Sequence, residues 1–194
     1  MFRAASFMMP LFSIRRLWLR PLQWSMLSLA LLLVAAPVQA QTRQDVAVKA
    51  AYLYRFLGYV DWPPRVLPGD ETPLVVGVLG NDALYAEFAA LVAGRRMNNH
   101  PIRALRMESP DPLEGMHVLF IGQAGDLART IERVGHRPVL LVSDLPQSLE
   151  VGGMLSLVPA NGRIRFEASP AAAERSGLRL SSRLLALADR VVTK

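Results

Sequence analysis

Apolar and polar positions along this chain switch between a helical and a strand rhythm. Val46, Ala50, Leu53, Leu57 and Val60 recur at steps of three and four, which draws one apolar stripe along a helix. That spacing predicts a helix over Asp45–Val60, capped by Thr42 or Asp45. Asp61-Trp62-Pro63-Pro64 stops it, because proline disfavours helical geometry in the residue before it and cannot extend the hydrogen-bond ladder. Residues 73–80 are apolar on both faces, as a buried parallel strand requires. Asn81 or Asp82 then caps a helix over Ala83–Ala93, and Gly94 closes it. A turn over Arg95–Pro101 leads to Ile102–Met107, whose weak alternation suits a more exposed strand.

The same rhythm continues to the C-terminus. His117–Gly122 reads as a buried strand, Leu127–Val134 as a helix capped by Asp126 and closed by Gly135, and Pro138–Ser143 as a fourth strand. Asp144–Pro146 reads as a short loop or helical turn. Asn161-Gly162 separates Met154–Val158 from Arg163–Glu167 and is the strongest short hairpin signal in the chain. Ser169-Pro170 opens another helix. A last helix, Arg183–Val192, is capped by Ser181 or Ser182 and carries Leu184, Leu185, Leu187 and Val191 on its apolar side. Strand–helix–strand units of this length imply an α/β fold of three layers: a mostly parallel sheet, helices on both faces, and an antiparallel edge hairpin.

The first 40 residues follow a different logic. Arg3, Arg15, Arg16 and Arg20 precede an apolar run, Met26–Ala36, and Pro37-Val38-Gln39-Ala40 ends in a small-residue cleavage pattern. This reads as a secretory signal peptide over residues 1–40, cut after Ala40, followed by a single domain over 41–194. The run is shorter than the roughly 20 residues of a bilayer span, so an uncleaved anchor is the weaker alternative. Ile14-Arg15-Arg16-Leu17 gives a faint twin-arginine export pattern against the general secretory route. The long stretch before the apolar run also allows a start at Met8 or Met9. An Arg-rich leader of this kind is compatible with a bacterial periplasmic destination.

Charge and composition narrow the function. The chain of 194 residues carries a formal net charge of +6, and without residues 1–40 it has 18 basic and 16 acidic groups. A nearly balanced domain has no electrostatic reason to bind nucleic acid. The absence of cysteine removes disulfides, thiolate metal sites and a cysteine nucleophile, so stability in an oxidising compartment must come from the core.

Catalytic patterns are sparse. His100, His117 and His136 lack partners at metal-ligand spacing and read as turn or strand-end residues. Gly77-Val-Leu-Gly80 and Gly122-Gln-Ala-Gly125 sit between strands and helices, yet neither completes a phosphate-binding motif, and Asp82 and Asp126 would repel a phosphate. Ser143 lacks a nucleophile elbow, although a triad assembled from distant residues stays open. No cofactor and no metal site is expected. Tyr52, Tyr54, Phe56, Tyr59 and Trp62 crowd one helix and its end, which suits either the core or a partner-facing surface.

Several of these segments together resemble the YfiR family of periplasmic regulators. They are Val48–Phe56 through Val60–Pro63, Leu74–Gly80 with Asn81-Asp82, Pro138–Asp144, Gly152–Val158, Arg163–Glu167, and the run from Gly177 through Leu185. The resemblance spans nearly all of residues 41–194, in order. It implies a three-layer α/β domain, often dimeric, without catalytic activity. It implies a periplasmic repressor that binds the sensing domain of an inner-membrane diguanylate cyclase, lowering cyclic di-GMP and restraining biofilm. Similar domains also serve as sensory modules of membrane kinases. The redox control implied by cysteine pairs in the family does not carry over, because this chain has none. On this reading Tyr59, Trp62, Phe166 and Leu180 are the partner-facing candidates, chosen for apolar character near segment ends. The second reading is a sensor module holding a small molecule at the strand ends Gly80, Gly122 and Ser143. The third is a hydrolase.

Overall fold

The computed structural model describes residues 42–122 and 127–193. The expected leader, the cap at Asp126 and part of the Gly122–Gly125 turn lie outside the described residues. Helix α1 covers residues 42–56 and leads to strand β1 (Val60–Asp61). Next come β2 (Leu74–Leu79), α2 (Asp82–Val92), β3 (Arg96–Met97), β4 (His100–Met107), β5 (Val118–Ile121), α3 (Leu127–Val134) and β6 (Leu140–Ser143). The chain ends through β7 (Leu155–Ala160), β8 (Arg163–Ala168), α4 (Pro170–Arg175), β9 (Arg179–Leu180), α5 (Ser182–Leu187) and β10 (Arg190–Val191).

Eight strands form one sheet in the order β10-β8-β7-β6-β5-β2-β4-β3, and β1 pairs with β9 as a separate ribbon. Strands β4, β2, β5, β6 and β7 run parallel, while β8 is antiparallel to β7. The chain leaves the sheet centre in opposite directions, from β2 to β4 through α2 and from β5 to β6 through α3. Right-handed crossovers in opposite directions place those helices on opposite faces, which produces the three layers.

Register shows which side chains share the α1 face. Val76, Val118 and Leu140 align on neighbouring strands, as do Val142, Leu155 and Ala168. All are buried, and Tyr52 and Phe56 of α1 pack on this face against Phe166. Gly77 faces the other layer, where an added Cβ would overlap the Met107 sulfur, so two methionine side chains, Met107 and Met116, fill the space that glycine leaves.

Local signals act as expected in most elements. The Asn81 side chain accepts from the Leu84 N–H at 3.0 Å, and Ser169 accepts from the Ala172 N–H at 3.3 Å with Pro170 in the first turn. Asn161 and Gly162 both take positive φ (51° and 70°), joining β7 and β8 by a two-residue turn with Ala160 opposite Arg163.

Three boundaries differ from the sequence expectation, and at two of them a distant partner decides. Residue 42 is already helical, so Asp45 lies inside α1 and does not cap it. At its other end α1 stops at residue 56, where Gly58 and Tyr59 donate to the Arg55 and Phe56 carbonyls and tighten the last turn. Val60 is then free to pair with Leu180. The last helix ends at Leu187 and not at Val192. Asp189 and Val192 instead donate to the Phe166 and Ala168 carbonyls, so that β10 satisfies the otherwise open edge of β8. Leu187 and Val191 are consequently exposed and do not line a buried stripe. The turn over Arg95–Pro101 contains its own hairpin, with Met97 opposite His100 across Asn98 and Asn99, both at positive φ.

Candidate functional site

The β1–β9 ribbon gathers three of the four partner-facing candidates. Val60 pairs with Leu180, Asp61 with Arg179, and the Ser181 N–H donates to the Tyr59 carbonyl at 2.9 Å. Tyr59, Trp62 and Leu180 are half-buried there, packed against the core yet reaching solvent. The Arg179 guanidinium lies 3.9 Å from the Asp61 carboxylate on the exposed side of the ribbon.

Phe166 is a correction. It is only 4% exposed, and its ring meets those of Phe56 at 5.2 Å and Tyr52 at 5.6 Å. Alternation along β8 turns Ile164 and Phe166 toward α1 and leaves Arg163 and Arg165 outside, so Phe166 is a core residue. The aromatic helix is likewise mostly spent inside the molecule. Phe56 is buried, the Tyr52 hydroxyl donates to the Ile164 carbonyl at 3.2 Å, and the Arg95 guanidinium lies over the Tyr54 ring at 5.5 Å.

Trp62 is held by a buried histidine. Its indole N–H donates to the His117 carbonyl at 3.3 Å, and the two rings meet edge-on at 6.4 Å. His117 Nδ1 accepts the Val75 N–H at 3.1 Å, so its Nε2 carries the hydrogen and donates to the Val66 carbonyl at 3.0 Å. The ring therefore ties the loop after β1 to the start of β2. Burial pushes the His117 pKa down, against the opposing pull of the Val66 carbonyl, and His100 lowers it further.

A folded-state pKa below the unfolded value means that the unfolded chain binds more protons as acid is added. This contribution to stability is complete above the unfolded pKa of about 6.5 and declines as pH falls below it. The urea midpoint should therefore drop between about pH 7.5 and about pH 5.5, and His117→Gln should flatten that slope. Equal slopes in the two proteins would contradict this role.

Among the described residues, hydrogen bonds brace the carboxyl ends of the strands at Gly122 and Ser143, where the second sequence reading placed a small molecule. Ser143 is buried, its hydroxyl donating to the Ile121 carbonyl at 2.7 Å and accepting the Leu145 N–H at 3.1 Å. That hydroxyl thus both donates and accepts within the fold. Gly122 donates to the Leu79 carbonyl at 2.8 Å, and a Cβ there would come within 3.0 Å of the Gly80 carbonyl oxygen and of Asn81 Cβ. Beside Ser143, Lys49 Nζ of α1 meets Asp144 Oδ2 at 2.6 Å, with both side chains largely buried.

A cleft of about 450 Å3 opens at the amino-terminal ends of β5 and β6. Arg65, Val66, Glu114, Met116, His117 and Arg137 are among its lining residues. Among the described residues no group of His, Cys, Asp or Glu is placed to hold a metal ion, and no helix is long and apolar enough to cross a membrane.

A family model described as YfiR/HmsC-like matches residues 46–189, from α1 to the residue before β10. The chain belongs to the YfiR/HmsC-like family. That family is one of periplasmic regulators in cyclic di-GMP signalling. Comparison with curated proteins returns no match. Among solved structures, the chain is similar to a conserved domain protein from Vibrio cholerae O1 biovar El Tor at 14% identity, with a TM-score of 0.44 over 66% of this chain and 57% of that one. It is also similar to the ABC domain in complex with L-Trp from Streptococcus pneumoniae at 12% identity, with a TM-score of 0.44 over 61% of this chain and 55% of that one. The chain thus spans a little over half the length of these two structures, and likenesses this distant carry no argument about function.

Within this YfiR/HmsC-like domain, sequence reasoning passed over the His117 clamp, the Lys49–Asp144 pair and the cleft. The one advance signal was His117 itself, a titratable residue opening an otherwise apolar strand.

Proposed function

We propose that this chain is a periplasmic, non-enzymatic regulator that binds the extracytoplasmic domain of an inner-membrane diguanylate cyclase and holds the cyclase inactive. The observation that carries the reading is membership of the YfiR/HmsC-like family over residues 46–189. The engaged Ser143 hydroxyl and the fully hydrogen-bonded His117 ring support it, since neither group is available to attack a substrate. Residues 1–40 act as the export leader, and residues 41–194 form the regulatory domain.

Repression works by population shift. The regulator binds the inactive cyclase better than the active one, because equal affinity for both states would shift nothing. The β1–β9 ribbon is the contact surface, with Tyr59, Trp62 and Leu180 as anchors. Half-buried Tyr and Trp supply large area with a polar handle, the chemistry enriched where binding energy concentrates. Lower cyclic di-GMP and less biofilm follow from a silenced cyclase.

Co-purification with the cyclase domain tests the reading. The wild-type protein should form a stable complex. Tyr59→Asp should weaken it by about tenfold or more while the near-ultraviolet circular dichroism is kept, as expected for a hot-spot anchor at the rim of the core. Failure of the wild-type protein to bind would contradict the reading. An unweakened Tyr59→Asp complex would remove the ribbon from the interface.

A further inference from the structure

We infer that the cleft at the amino-terminal ends of β5 and β6 is a binding site for a small organic anion, and that its occupancy is felt at Trp62. The volume, about 450 Å3, lies in the range of small-molecule sites. Its floor is apolar: Leu113, Met116 and Val139 line it and are buried against the core. Its rim is charged. Arg65 comes from the loop after β1, and Arg137 from the turn between α3 and β6. Both are exposed, and among the described residues no carboxylate lies within ion-pair distance of either. Other exposed arginines of this domain do have such partners: Arg96 with Glu71, Arg106 with Asp82 and Arg190 with Glu167. Glu114 is the one carboxylate on the lining, so the charged rim is net positive. Two unpaired guanidiniums above an apolar floor suit a carboxylate or phosphate monoester carried on a ring or short chain, since Arg forms planar, charge-assisted hydrogen bonds with either group.

The wall of the cleft provides the coupling. Val66 and His117 both line it. They are joined by the His117 Nε2–Val66 carbonyl bond at 3.0 Å, and Trp62 donates to the His117 carbonyl at 3.3 Å. A ligand seated against Val66 and His117 therefore bears on the segment that carries Trp62 into the β1–β9 ribbon. This inference goes beyond the regulator reading, and its test involves no partner protein, so the two stand or fall separately.

The experiment titrates the purified protein with phenyl phosphate, phenylacetate and uncharged benzyl alcohol by calorimetry. At least one anion should bind saturably and the alcohol should not. The tighter of the two anions identifies the headgroup. Arg65→Gln and Arg137→Gln should each weaken binding about tenfold, equivalent to ~1.4 kcal/mol, whereas Arg175→Gln, which is not among the lining residues, should leave it unchanged. In a chain carrying Trp18→Phe and Trp24→Phe, Trp62 is the only tryptophan, and its emission should change with the same midpoint. No saturation by either anion up to about 10 mM, or affinity indifferent to both arginine substitutions, would overturn the site. Saturation with unchanged Trp62 emission would overturn the coupling.

Discussion

Phe166→Asp is expected to unfold the domain. The ring is enclosed by Tyr52 and Phe56 beneath α1, and only 4% of the residue is exposed. Truncating such a ring to alanine costs about 3–5 kcal/mol through lost transfer energy and the cavity left behind. A carboxylate adds the penalty of a buried charge without a partner. Total stability of a domain this size is about 5–15 kcal/mol, so the sum consumes most or all of it. The checks are soluble yield and a thermal melt followed by circular dichroism. Phe166→Asp should show no cooperative transition, while Phe166→Leu should keep one at lower temperature. A folded Phe166→Asp protein would mean that α1 does not pack on β8 as described. The contrast with Tyr59→Asp also has a practical use, since loss of partner binding in Phe166→Asp reports unfolding and not an interface.

The second large effect concerns Lys49 and Asp144. The pair links α1 to the residue after β6 at 2.6 Å, with the side chains 20% and 13% exposed. Removing one member of a buried pair strands the other charge and typically costs about 3–5 kcal/mol; the residual exposure here lowers the expectation to about 2–3 kcal/mol. Lys49→Met and Asp144→Leu should each lower the unfolding free energy from urea denaturation by that amount. The double variant Lys49→Met with Asp144→Leu should recover much of the loss, because an apolar pair needs no mutual neutralisation. A double-mutant cycle measures the coupling directly. Additive losses, or single losses below about 0.5 kcal/mol, would show that the contact is incidental.

What the sequence made legible was whatever lies within one segment. Asn81, Ser169-Pro170, Gly94, Gly135 and Asn161-Gly162 act on their own backbone neighbours, and each does in the fold what its local chemistry suggests. The strands β2, β5 and β6 announce themselves by being apolar on both faces, and all are buried. Boundaries were illegible where the deciding hydrogen bond comes from far along the chain. Val60 leaves the helix to meet Leu180, and Asp189 and Val192 leave theirs to meet the edge of β8. Two-residue strands such as β1, β9 and β10 are too short to carry a period of their own.

The same division separates the parts of the site. Tyr59, Trp62 and Leu180 could be named from local character, and the ribbon does bring them together. Phe166 was open to correction from its own strand, because Arg163-Ile-Arg-Phe-Glu167 alternates and puts Phe166 on the apolar side with Ile164. The cleft is different. It draws on the loop at Arg65, the loop before β5 and the turn at Arg137, three places whose proximity exists only after the sheet has formed.

The central claim is that this YfiR/HmsC-like chain acts by restraining a membrane cyclase, and the cellular level of cyclic di-GMP reports on it most directly. Deleting the gene should raise that level, and restoring the wild-type protein, but not a folded Tyr59→Asp variant, should bring it back down. A level that does not change on deletion would contradict the account.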